Sequence, residues 1–273
     1  MAEVYVVHSV SCMVGVRRTL VNRNRRDPFE GRLEGEGGQL VTAAGARAQS
    51  RVPVTKERVL ASAVALADQE GLESLSMRKI AQELRVVPMA LYKHVANKDD
   101  MLDGMVDIVF SEIELPSWRD GWRPAMRSRA ISARRVLSRH PWATALMESR
   151  PRPGPANLRH HDSVMGGLRK AGFSVGMAVH GFNTVNSFIY GFALQETSMP
   201  FGSPEELVEV AEVMLQGLPP DEYPYLREVV TDSMVSGFEY ADEFEFGLDL
   251  ILDGIERVWD MPENDGGGAA LQE

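Results

Sequence analysis

Leu75-Ser-Met-Arg-Lys-Ile-Ala-Gln-Glu-Leu84, then Arg85-Val-Val87, then Pro88-Met-Ala-Leu-Tyr-Lys-His-Val-Ala-Asn-Lys98 reads as two short helices across a three-residue connection. Ser76 is a side-chain N-cap, and Ile80, Ala81 and Leu84 share one apolar face of a helix Met77–Leu84. Pro88 suits the first turn of a second helix, roughly Met89–His94, because its missing N–H is unpaired there anyway. Upstream, Thr55 starts a longer helix to about Glu70 that Gly71 ends. Downstream, Asn97 caps a helix from Lys98 to about Glu112, with Leu102, Met105, Val106, Val109 and Ile113 at helical spacing. A supporting helix followed by two short helices at a tight turn is the helix-turn-helix arrangement, whose second helix enters the major groove.

Charge agrees locally, though the whole chain hides it. The 273 residues carry a formal charge of −10, which on its face argues against nucleic acid. Yet residues 173–273 hold two basic and twenty acidic residues, whereas 101–172 hold twelve basic and seven acidic. Between Ser76 and Lys98, five cations (Arg78, Lys79, Arg85, Lys93, Lys98) face one carboxylate, Glu83. The acidity belongs to the last third, and the helix-turn-helix segment is basic.

Outward from this segment the pattern stays helical, with no convincing period-two run. Further helices are expected at about Trp122–Arg139, Trp142–Glu148, Asn157–Ala171, Ser174–Met199, Pro204–Gln216, Tyr223–Val235 and Glu243–Val258. The expected fold is all-α: a DNA-binding domain at 52–98 and a helical-bundle domain for ligand binding and dimerisation at 99–262. Residues 263–273 read as a disordered tail. Residues 1–51 read as a disordered arm or an over-long start, with a basic arm along DNA as the sharper alternative. The uncharged stretch Ser174–Gln195 would reach about 33 Å as a helix, enough for a bilayer, but His180, Asn183, Asn186 and Gln195 favour a buried helix without membrane contact. The single Cys12 excludes an internal disulfide and fits a cytoplasmic protein. The six histidines show no i, i+4 pair, and no nucleophile elbow, phosphate loop or dinucleotide fingerprint is present, so no metal, cofactor or catalytic residue is expected. An all-helical enzyme is the remaining alternative of another class.

The same stretch resembles the DNA-binding domain of TetR-type repressors, and Leu91-Tyr-Lys-His-Val-Ala-Asn-Lys98 carries that family's signature. The rest resembles the tetracycline-repressor branch at Ser149-Arg150-Pro151, Ala171-Gly-Phe-Ser174 and Phe244-Glu-Phe-Gly-Leu248. The resemblance implies a homodimer that binds a two-fold operator on double-stranded DNA and is released by a small-molecule effector. A ligand-independent regulator is the alternative. Pro88, Met89, Ala90 and Lys93 lie on the leading face of the second short helix, where apolar groups meet thymine methyls and a lysine donates to guanine. Arg78 matches a base-reaching position, and Ser76, Tyr92, His94 and Lys98 match phosphate contacts. Arg85 stands where the turn usually has glycine, implying a positive φ, and Val87 stands where a hydroxyl cap is usual.

For the effector, a mostly apolar cavity is expected from Trp118, Trp122, Met126, Arg150, His161, Met165, Phe182 and Asn186, the last because it breaks an apolar stripe. The polar third side of the central helix (His180, Asn183, Ser187, Tyr190) suits either a ligand or a dimer seam. A tetracycline–magnesium complex is not expected, since that branch's metal site needs a histidine shortly before Arg-Pro and Trp142–Glu148 has none. The dimer is expected to pair the central and final helices through Val179, Gly181, Phe188, Phe244, Gly247, Leu248, Ile251 and Ile255, with a purely internal core for these residues as the alternative.

Overall fold

A computed structural model describes residues 53–147, 149–199, 203–235 and 240–260. The arm at 1–51 and the tail at 263–273 lie outside the described residues. Thr55 accepts from the Arg58 amide and starts α1 (Lys56–Glu70), which Gly71 ends at φ 79°. Ser76 accepts from the Lys79 amide at 3.3 Å and starts α2 (Met77–Glu83). The turn after α2 closes by two bonds, Val86 N–H to the Ala81 carbonyl and Arg85 N–H to the Gln82 carbonyl. This double closure puts Arg85 at φ 56°, as its replacement of glycine implies, at a cost of about 1 kcal/mol. α3 (Pro88–Leu91) has no side-chain cap at Val87. It is shorter than expected: the His94 and Val95 amides both turn back to the Leu91 carbonyl, which drops Val95 into the core. Asn97 Oδ1 accepts from the Asp100 amide at 2.8 Å and starts α4 (Lys98–Glu112).

The second half comprises α5 (Trp122–Arg139), a 3₁₀ turn at Pro141–Ala143, α6 (Thr144–Met147), α7 (Pro155–Lys170), α8 (Val175–Ser198), α9 (Pro204–Gly217), α10 (Pro224–Val235) and α11 (Tyr240–Trp259). No strand occurs among the described residues, and no helix there is long and apolar enough to cross a membrane. α7 ends in the same double closure as α2, here with Gly172 at φ 101°.

Two apolar cores divide the chain, and α4 belongs to both. Val59, Leu60, Ala63, Ile80, Leu91 and Val95 close the first core against Met101, Leu102 and Met105. Val106, Val109 and Phe110 enter the second, with residues of α5, α7, α8 and α11. The changeover therefore falls inside α4, after Met105, rather than at the 98–99 boundary that the cap at Asn97 suggests. The opposed charges also meet: Arg123 pairs with Asp253 (2.5 Å) and Glu256 (3.4 Å), Arg127 with Glu245 (2.7 Å) and Asp249 (3.0 Å), and Arg134 with Glu196. Part of the acidic last third is thus matched by arginines of α5.

One expectation is corrected. Phe244 and Leu248 are fully buried within a single chain, and Ile255 nearly so, in the core between α11, α5 and α8. Phe188 stacks on Phe244 at 5.3 Å and occupies the space beside Gly247, where a Cβ would come within 2.8 Å of its ring. Gly181 faces Ile255, and Ile251 is half-buried against the same core. These residues seal the protomer itself. Of the eight dimer candidates, Val179 alone is exposed. The apolar side chains that α11 leaves uncovered are Phe246 and Leu250, one turn apart on a second face, and Val258 near its end, and α8 leaves uncovered Val175, Val179 and Leu194.

Candidate DNA interface and effector site

Ser76, Arg78, Pro88, Met89, Tyr92, Lys93 and Lys98 are exposed, and Ala90 and His94 are half-buried. Met89 keeps 73 % of its surface and Val87 67 %, an unusual outlay of apolar surface on a four-residue helix unless something covers it. Lys79 is tied to Glu70 at 2.5 Å. Arg78, Arg85, Lys93 and Lys98 form no ion pair among the described residues. Leu91 and Val95, fully buried, fix the orientation of the intervening side chains.

In the second core the decisive residues are ones the pattern did not mark. Arg129 of α5 is 2 % exposed. Its Nε–H donates to His160 Nε2 on α7 at 2.8 Å, and its Nη2 donates to Asn186 Oδ1 on α8 at 2.7 Å. The Phe182 ring lies 5.0 Å from the guanidinium. Phe110 of α4 stands 6.0 Å from the His160 ring and 5.7 Å from that of His161, and His161 meets Phe182 edge-on at 5.1 Å. Asn186, Phe182 and His161 are therefore brought together, around two residues that sequence reasoning missed. The only available signal was that Arg129 lies on the apolar side of α5, between Met126 and Ala133.

The other effector candidates lie elsewhere or serve otherwise. Trp122 packs edge-on to Phe173 (5.1 Å) and Trp259 (6.2 Å). Met126 is buried, Met165 half-buried against the core, and Trp118 occupies the space beside Gly167 with its buried indole N–H unpaired among the described residues. Arg150 is committed to α4, with Nε on Asp103 at 2.5 Å and Nη2 on Asp99 at 3.1 Å. Asp107, one turn further, accepts from the Ala156 and Asn157 amides at 2.9 Å each and supplies the cap that Gly154 cannot give α7. Glu112 meets Arg139 (2.7 Å) and His140 (3.2 Å), whose other ring nitrogen lies 2.8 Å from Asp68 of α1. α4 is thus tethered along its length.

Burial pushes the Arg129 guanidinium down to about 10, with Tyr190 opposing. Burial also pushes His160 down to about 3, assisted by the charges of Arg129 and His161. The sign follows directly. Between pH 6.5 and about 3 the unfolded chain protonates this histidine and the folded chain does not, so acid favours unfolding. The expected contribution is a loss of about 1.4 kcal/mol on going from neutral pH to pH 5.5, absent in a His160→Gln variant. Urea titrations at the two pH values measure it, and an equal acid sensitivity in the variant contradicts the assignment.

Two family descriptions match the chain: "Bacterial regulatory proteins, tetR family" over residues 59–105 and "Tetracyclin repressor-like, C-terminal domain" over 115–259. The chain belongs to the tetR family. It is 34 % identical over 222 residues to the transcriptional repressor DrrR1 of Streptomyces coeruleorubidus, covering 77 % of this chain and 81 % of that one. It is 30 % identical over 202 residues to the class A tetracycline repressor of Escherichia coli transposon 1721, covering 73 % and 89 %. Among solved structures, Streptomyces coelicolor ActR in complex with actinorhodin matches with a TM-score of 0.64 and 29 % identity, over 77 % of this chain and all of that one. Like the relatives it matches, this protein is a DNA-binding transcriptional repressor of the tetR family rather than an enzyme.

Proposed function

We propose that this repressor reads its operator with α3, and that a small molecule held at the Arg129–His160–Asn186 cluster releases it. One observation carries this: α4 closes both cores, with Met101 and Met105 under the DNA-binding helices and Phe110 against the His160 and His161 rings. A ligand that shifts Phe110 acts on the helix that positions α1–α3. Its effect is bounded by the difference in its affinity for the two arrangements. The relatives support the class of event, ActR having been crystallised with actinorhodin. Met89, Ala90 and Lys93 are assigned to base edges, Arg78 to a base-reaching position, and Ser76, Tyr92, His94 and Lys98 to phosphates. The second copy is placed on the face formed by Val179 and Leu194 of α8 and Phe246, Leu250 and Val258 of α11. The cytoplasm, where DNA is met, is the proposed location.

The test uses DNA selected from a random library by the wild-type protein. Lys98→Ala is expected to weaken binding to every sequence alike and to flatten the salt dependence by about one unit. Lys93→Ala is expected to cost about 1–3 kcal/mol on the best site and to change which sequence wins. A loss from Lys93→Ala that is uniform across the library removes its base-reading role.

A further inference from the structure

Four other arginines of α5, Arg123, Arg127, Arg134 and Arg139, each pair with a carboxylate. Arg129 differs. It is buried, no carboxylate approaches it within ion-pair distance among the described residues, and Nη1 has no hydrogen-bond partner there. Its two bonds go to neutral acceptors. His160 Nε2 must be unprotonated to accept from a guanidinium, which has donors only, so the neutral imidazole carries its proton on Nδ1. That Nδ1 is also buried and without a partner. Two buried N–H donors, one of them on a cation, therefore have no hydrogen-bond partner among the described residues, although the Tyr190 hydroxyl lies near enough to act on the guanidinium charge. A buried guanidinium is ordinarily matched by an acceptor carrying the opposite charge. Around the pair lie the Phe182 ring over the guanidinium, Phe110 beside His160, His161 against Phe182, and Tyr190.

Resting on the effector-site reading above, we infer that the effector is an organic acid with a flat aromatic body, its carboxylate received by Arg129 Nη1 and its rings by Phe182 and Phe110. Asn186 is a positioning residue: its amide oxygen holds Nη2 and so fixes the plane of the guanidinium. The assignment also gives the acid a route to the DNA-binding helices, because Phe110 sits on α4.

The experiment uses the full chain and matched probes: 2-naphthoate and anthracene-2-carboxylate, their primary amides, and inorganic phosphate. Binding is followed by tryptophan fluorescence and calorimetry, and binding to the selected DNA is measured in parallel. At least one acid is expected to bind ten or more times tighter than its amide and to outcompete phosphate. Arg129→Met is expected to bring that ratio within twofold. Should that variant fail to fold, Arg129→Gln, which keeps a donor for Asn186, carries the comparison. An arginine that merely braces three helices would change the melting midpoint without changing the acid-to-amide ratio. Amides that match their acids, a ratio that survives in the variant, phosphate that binds as tightly, or no acid bound at millimolar concentration each overturn the inference. DNA binding without any ligand is scored separately, so the repressor reading and the acid inference fail on different measurements.

Discussion

Phe244→Ala is expected to lower the stability of the protein by about 3–5 kcal/mol, the ordinary cost of emptying a fully buried aromatic site. Leu250→Glu, six residues later on the same helix, is expected to leave the protomer folded and to split the dimer. The contrast rests on burial. Phe244 has no exposed surface, stacks on Phe188 and packs edge-on to Phe192, whereas Leu250 keeps 55 % of its surface. Removing the first leaves a cavity among α5, α8 and α11. Placing a carboxylate at the second costs several kcal/mol only when another copy covers it. Urea denaturation checks the first variant, and sedimentation over a range of concentrations checks the second. A folded monomer from Phe244→Ala would return that residue to the interface, and an intact dimer from Leu250→Glu would move the interface off this stripe.

This reversal shows where the sequence stops being informative. α11 carries apolar residues on two faces, Phe244-Leu248-Ile251-Ile255-Val258 and, beside it, Gly247-Leu250-Gly254, and periodicity identifies both without saying which one faces inward. Only the neighbours decide, through the Phe188 ring beside Gly247. The helix-turn-helix was legible for the opposite reason. Its caps at Thr55, Ser76 and Asn97 and its positive φ at Arg85 are local chemistry, settled within a few residues. Arg129 escaped notice because α5 contains several arginines, and nothing local distinguishes a buried guanidinium from those that reach Glu196 or Asp249. His160 and His161 are adjacent, yet about 100° apart around a helix, so one turns inward to Arg129 while the other bonds the Asn157 carbonyl.

The tethers of α4 lead to the other large effect. Asp99, Asp103 and Asp107 recur every four residues and so share one side of the helix. Arg150 holds the first two, and the N-terminus of α7 is held by the third. Arg150 and Asp103 are largely buried by this contact, which places the pair well above an exposed salt bridge in worth. Removing Arg150 is expected to cost about 1.5–3 kcal/mol, and removing the Asp107 cap about 1–2 kcal/mol. The double variant Arg150→Ala, Asp107→Ala should therefore lose about 2.5–5 kcal/mol, and what it loosens is the attachment of α4 to the effector domain. No DNA-facing residue is altered, so the number of phosphates engaged stays the same. Operator affinity is expected to fall about tenfold while the salt dependence keeps its slope, because the cost lies in holding two reading heads at one spacing rather than in lost contacts. Hydrogen exchange along α1–α3 should rise in the same variant. An affinity equal to wild type would show that Glu112, Arg139 and His140 hold α4 well enough alone, and a flattened salt slope would show that Arg150 itself meets the DNA.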